Sequence, residues 1–342
     1  MHGRLGALVL AGGLFLAEAA CGPPYAHPTR AGTRGVPGYR VLRDVPMPGR
    51  TDRWDYQAYD AASHRLWLAD LGAGEVVVFD TLAQKVVGVV QGTPAVHGVA
   101  LAPDLGLAYA AEGNTDQVAI IDTRTLTVVR TVAAGVAPNG IAYAPGVERV
   151  FVSDAGGLGD TVLDARSGRM LARLPLGAEV GNTKFDGTTG EIYVSLGLAG
   201  RLVAVDPASG RVTRSYRLSR CDAAHGVQLD VGPRHRAFVA CLFNRRLEVV
   251  DLTSGRVTQL LGTGGTPDVL ALDPVRSRLY VASESGQLAV FDVSGQRVRK
   301  LAQGLAGPDA HTVSIDPGTG IVYLPLASLG GVPVLRELIA AG

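Results

Sequence analysis

The chain has 342 residues, 47% of them hydrophobic and 18% charged, a balance that excludes a mostly disordered protein. Its 32 Lys and Arg against 31 Asp and Glu leave a net charge of +1, so no broad field of either sign draws in nucleic acid or anionic lipid. A single core rarely grows beyond about 250–300 residues, so this length calls for two domains or for a repeat array that adds core unit by unit.

The first predicted element is an export signal over residues 1–20. MHGRLGALVLAGGLFLAEAAC carries one arginine, an apolar run from Leu5 to Ala17, and then small residues; the run is too short to span a bilayer comfortably and fits a secretory signal. Cleavage reads in two ways. Ala17-Glu18-Ala19 or Glu18-Ala19-Ala20 serves the ordinary signal peptidase, whereas cleavage just before Cys21, with lipid added to its sulfur, resembles a bacterial lipoprotein. Glu18 departs from that pattern, which prefers leucine three residues ahead of the cysteine. Cysteine parity favours lipid on Cys21, because it leaves Cys221 and Cys241 as an even pair suited to an oxidising compartment. The expected location is the bacterial periplasm or, through that lipid alone, the membrane of the cell envelope. Residues 21–38, which include PPYAHPTRAGTRGVPG, read as a Pro/Gly-rich linker.

From residue 39 onward the chain repeats. Apolar runs end in aspartate at Asp80, Asp122, Asp164, Asp206, Asp251 and Asp292, at steps of 42, 42, 42, 45 and 41 residues. A second apolar run precedes each (RLWLA, LAYAA, RVFVS, EIYVS, RAFVA, RLYVA), and a turn with another β-rich run comes after it. Each unit therefore holds four short strands: in the fifth, HGVQLD, RAFVAC, LEVVD and RVTQLL. That is the length and content of a propeller blade. Six full units run from Trp54 to about Ala310, and a seventh, HTVSIDPGTGIVYLPLASLGGVPVLREL, supplies only three strands. YRVLRDVPMP, residues 39–48, has the character to fill the missing place and close the ring. The expected architecture is all-β, a seven-bladed β-propeller over residues 39–342. The repeated aspartates are expected to cap the turns between third and fourth strands, Trp54 and Trp67 to pack between blades, and Arg234-His235-Arg236 to form a solvated turn on the opposite face.

The repeat register also aligns a candidate site. First strands end at Asp60, Ala102, Ala144, Asp186, Asp230, Asp273 and Asp316, and counting five back gives Asp55, His97, Asn139, Gly181, His225, Asp268 and His311. First strands line a propeller's central channel, so these residues should ring its mouth. Read cyclically from blade five, His225, Asp268, His311, Asp55 and His97 alternate imidazole and carboxylate. Three readings stand side by side. The ring is polar packing around a partly wet channel; or it holds a divalent transition metal or small polar ligand, with Asp55, His97, Asp268 and His311 as the metal set; or it performs acid–base chemistry. Cys221 and Cys241 fall at one rim of blade five, where a disulfide would pin the incoming loop; with His225 they would otherwise offer a soft-metal site. No nucleophile elbow, phosphate loop or helical zincin pair occurs.

The strings RLYVAS, RVFVSD and EIYVSL, with RWDYQAYD, AVHGVALAPD and HTVSIDPGTGIVYLPLA as landmarks, resemble the YVTN-repeat, YncE-like β-propeller family across residues 39–342. The resemblance implies a secreted or periplasmic seven-bladed propeller, often without an assigned reaction; fold does not settle function. The expected role is an exported binding or interaction protein. A small polar ligand or another protein would sit at the mouth face, beside the loops EGNTDQ, SDAGGLGD and CLFNRR, with no nucleic acid partner. The alternative is a metal-dependent hydrolase or lyase of lactone-type substrates, since propellers of similar build include calcium-dependent lactonases and a histidine-using lyase that opens cyclic lactone antibiotics. That likeness is one of architecture, and calcium would want more oxygen ligands than this histidine-rich half-ring offers.

Overall fold

The computed structural model describes residues 35–342; the signal segment, Cys21 and residues 21–34 of the expected linker lie outside the described residues. Residues 35–38 already belong to the packed structure, with Val36 buried and its carbonyl accepting the Tyr39 N–H. The rest of the chain forms seven four-stranded antiparallel sheets and, among the described residues, one short 3-10 turn at Pro145–Val147. Blade one comprises Trp54–Asp60, Arg65–Asp70, Glu75–Asp80 and Lys85–Gln91, and the next five repeat that order. First strands of neighbouring blades lie against one another, which puts them innermost around the axis.

The expected closure is present. Blade seven takes Ser314–Asp316, Ile321–Leu329 and Val332–Ala340 from the C-terminal end and Tyr39–Pro46 from the N-terminal end. Tyr39 pairs with Ala340 and Pro46 with Val334. Arg336 holds Asp44 through two 2.7 Å contacts, and Arg43 reaches the buried Glu337 at 3.0 Å. Without this strand, the row of backbone groups along Val332–Ala340 would be an open edge.

One large aromatic per blade fills the space between sheets. Trp67, Tyr109, Phe151, Tyr193, Phe238, Tyr280 and Tyr323 occupy equivalent second-strand positions, all at most 2% exposed. Five face Ala58, Ala100, Ala142, Ala271 or Ser314 across the strand pair, because near the axis there is room for one large ring and one small partner. Trp54 is buried with Leu335 and Tyr323 between blades seven and one, and Trp67 packs between blades one and two.

The repeated aspartates cap their turns. Asp80 accepts the N–H groups of Leu82 and Ala83 at 2.9 and 2.7 Å, and the pattern recurs at Asp122 and Asp251. Asp164, Asp206 and Asp292 each accept at least one such N–H. The turn at Arg234–Arg236 corrects the sequence reading. Arg236 is buried, donates to Asp230 at 2.7 Å and to the Val293 carbonyl at 2.8 Å, and His235 lies 3.2 Å from the buried Asp186. Hydropathy registers charge and not its partners, which is why the sequence suggests a solvated turn; here the charges join three blades.

Cys221 and Cys241 form a disulfide, with Cα atoms 5.1 Å apart, so the alternative soft-metal site with His225 is not formed. Cross-links of this span restrict the unfolded chain. Replacing both cysteines by serine is expected to lower stability by about 3 kcal/mol, read as a shift of the urea midpoint; an unchanged midpoint would show the loop is held by other contacts.

A buried polar network joins blades three and four. Thr161 donates to Asp154 at 2.7 Å, Thr183 to Asp160 at 3.1 Å, and Ser153 lies 2.6 Å from Thr183. Burial pushes the Asp154 carboxyl up to about 6 and that of Asp160 well above its ordinary range. Both groups hold a proton more tightly folded than unfolded. Their contribution is therefore complete below the unfolded carboxyl pKa of about 4 and is lost as pH rises, through about 6 for Asp154 and further for Asp160. Asp160→Asn is expected to raise the melting temperature at pH 8 and to flatten its decline above pH 5; an equal decline in wild type and variant would count against a buried proton at Asp160.

Candidate metal and ligand site at the channel mouth

In six blades the site position lies within a β-bulge. The pairing of first and second strands skips a residue between Trp54 and Gln57, Val96 and Val99, Pro138 and Ile141, Val180 and Thr183, Ala224 and Val227, and Pro267 and Leu270. The residue after the first of each pair is Asp55, His97, Asn139, Gly181, His225 and Asp268. A bulge frees one residue from the ladder and re-aims its side chain, which is how one register position can supply a ring. In blade seven the strand begins only at Ser314, and His311 sits in the segment before it. Two residues ahead of the site position, Ala95, Ala137, Ala223, Thr266 and Asp309 all adopt a left-handed conformation, with φ between 50° and 55°. That recurrent kink swings each incoming loop onto the mouth.

The four residues of the expected metal set divide. Ligand atoms of Asp55, Asp268 and His311, all buried, lie within 4.8 Å of one another. His97 stands behind them, its Nδ1 2.5 Å from Asp55 Oδ2, so it orients a carboxylate and is not itself in the group. Asn139 lies one blade further out, with Nδ2 3.5 Å from His97 Nδ1. Gly181 contributes no side chain, and a Cβ there would stand 2.7 Å from the His225 Cα; close approach of blades four and five interrupts the polar ring.

His311 Nδ1 is 3.0 Å from the Asp309 carbonyl. Donating its proton there leaves Nε2 a bare acceptor, and that atom is buried without a hydrogen-bond partner. Asp268 Oδ1 is also buried and unpartnered, since His225 Nε2 at 3.4 Å is off the line of a hydrogen bond. Two buried acceptors beside a second carboxylate need a proton or a cation between them. Burial, reinforced by the charges of Asp55 and Glu284, pushes the Asp268 carboxyl up to about 7. Burial also opposes ionisation of Asp55, but the hydrogen bond and charge of His97, with Arg53 beyond, hold its carboxyl below the usual range.

Three further residues complete the site. Tyr56 reaches from blade one to blade five, its hydroxyl 3.2 Å from His225 Nε2. Burial raises the phenol well above its usual range and lowers His225, so both are neutral there. Arg53 of blade one and Glu284 of blade six form a two-pronged ion pair of 2.8 and 3.1 Å, and Glu284 Oε2 lies 4.0 Å from His311 Nδ1. The pair thus spans blade seven at the mouth. Reading one position per blade missed all three: Tyr56 and Arg53 flank Asp55 in RWDYQAYD, and Glu284 comes just after the second strand of blade six. An arginine two residues ahead of the site position, where other blades carry small or acidic residues, was the available signal.

Fold and site together define a seven-bladed β-propeller with a buried carboxylate–imidazole group at one end of its channel. No family model matches the chain, and no curated protein matches its sequence. A solved structure of the hydrazine synthase of Kuenenia stuttgartiensis is similar to it with a TM-score of 0.72 at 16% identity, over 86% of this chain and 97% of that one. At that identity the likeness establishes the fold and carries no activity across.

Proposed function

We propose that this chain is an exported β-propeller of the YVTN-repeat, YncE-like kind that binds a divalent transition metal at its channel mouth and, through the metal, a small polar ligand. One observation carries the metal reading: Asp55, Asp268 and His311, all buried, bring ligand atoms within 4.8 Å of one another, and His311 Nε2 and Asp268 Oδ1 are buried without a hydrogen-bond partner. One imidazole and two carboxylates suit zinc or iron, and three protein donors leave a coordination position for a ligand. His97 supplies the outer support for Asp55 that metal carboxylates usually have. The Cys221–Cys241 disulfide supports an oxidising compartment and hence export, with a lipid on Cys21 as the expected membrane attachment. A small ligand suits the buried donors better than a partner protein does.

The test is elemental analysis of the protein purified without added chelator, then calorimetric titration of the stripped protein with Zn2+ and Fe2+. About one equivalent of bound metal is expected; no uptake of either ion would reject the metal reading and leave the ring as polar packing. A second reading, a metal-dependent hydrolase or lyase of lactone-type substrates, draws on His97 and His225, whose side chains are 24% and 23% exposed beside the donors and could move protons. Turnover of a lactone panel by the metal-loaded protein would favour it.

A further inference from the structure

We infer that Arg53 is the anion-recognising residue of this site, and that the ligand is a small molecule carrying an oxyanion, a carboxylate or phosphate, which takes the place of Glu284 on the guanidinium; this rests on the metal reading above. The Arg53 and Glu284 side chains are 40% and 27% exposed, while those of Asp268, Asp55 and His311 are 7%, 4% and 1% exposed. The ion pair is the water-facing layer, and the donors lie beneath it. Arg53 presents both terminal nitrogens to both oxygens of one carboxylate, the fork that also fits a phosphate or a free carboxylate. The pair is open to water on one side, so an incoming oxyanion can reach the guanidinium and exchange for Glu284.

Charge sets the order of events. Asp55, Asp268 and Glu284 face the single guanidinium of Arg53, so carboxylates outnumber the one guanidinium and the group repels an anion. A divalent cation cancels that excess. The oxyanion then meets a metal with an open position below and a guanidinium above. No repeat requirement explains arginine here, since Ala95, Ala137, Ala223 and Thr266 serve the equivalent position elsewhere.

The experiment uses wild type, Arg53→Gln and Glu284→Gln, each titrated first with Zn2+, then loaded with one equivalent, cleared of excess metal and titrated with oxalate or inorganic phosphate. The two anions distinguish a carboxylate ligand from a phosphate one. At least one should bind loaded wild type and not the stripped protein. Arg53→Gln should weaken it at least about tenfold, as loss of a charge-assisted pair does, and Glu284→Gln should tighten it several-fold by removing the internal competitor, both compared with wild type at the same zinc loading. Zinc uptake without binding of either anion, or anion binding indifferent to Arg53→Gln, overturns the inference and leaves the metal site standing. Absence of zinc uptake by wild type overturns both.

Discussion

His311→Ala is expected to abolish Zn2+ binding, weakening it by more than about 100-fold, with the β-sheet circular dichroism unchanged. The side chain offers the one nitrogen in the donor group, and its Nε2 is held bare by the bond from Nδ1 to Asp309. Asp268→Ala should act similarly, because Asp268 Oδ1 is the other unpartnered acceptor. His97→Ala should cost about 10–100-fold, the usual loss when a residue that orients a ligand is removed, since Asp55 would keep its place and lose its 2.5 Å partner. Asn139→Ala, one blade beyond His97, should change affinity little. The graded series is the informative result: equal metal content in wild type and His311→Ala would reject the assignment, and a His97→Ala loss as complete as that of His311→Ala would place His97 among the direct ligands.

Deleting the chain through Pro46 is expected to abolish the folded monomer. The lost strand pairs along Val332–Ala340 from Tyr39 to Pro46, and it takes with it the Asp44–Arg336 and Arg43–Glu337 contacts. Glu337 is buried, so the deletion strips it of the arginine beside it, and unpairing a buried carboxyl group is costly. Tyr39, packed against Tyr280 of blade six at a ring separation of 6.0 Å, goes as well. A marginal fold does not survive these losses together with a newly exposed edge. The measurement is size-exclusion chromatography with denaturant unfolding. A monomer with a wild-type urea midpoint would show that the three C-terminal strands close the ring alone. Arg336→Ala, which leaves the strand in place, should lower the midpoint and keep the monomer.

The repeat was legible because a blade is a local object. Its strands succeed one another through short turns, so the 42-residue step, the aspartate caps and the place of each first strand are all written within single units. Closure was legible by subtraction, from a seventh unit one strand short. The Cys221–Cys241 link could be placed for the same reason, since both residues belong to one blade. Alignment of equivalent positions even brought Asp55, Asp268 and His311 onto the same circle.

What the repeat could not convey is how unlike residues meet across the axis. Tyr56 touches His225, 169 residues away, and Arg53 touches Glu284, 231 residues away; neither contact exists until the ring is closed, and no local pattern encodes it. Position on the circle likewise did not separate ligand from support. His97 and His311 have the same register, yet His97 is held on Asp55 through its Nδ1, while His311 bonds the Asp309 carbonyl through Nδ1 and keeps a buried Nε2 without a partner. Arg236, read as solvated from its charge, is buried because Asp230 and three carbonyls of blade six converge on it. The amino-acid sequence by itself determined which side chains could reach the channel, since that depends on period and alternation. Only the tertiary structure decided which of them face one another, because that depends on bulges, left-handed kinks and ring closure, which act over the whole chain.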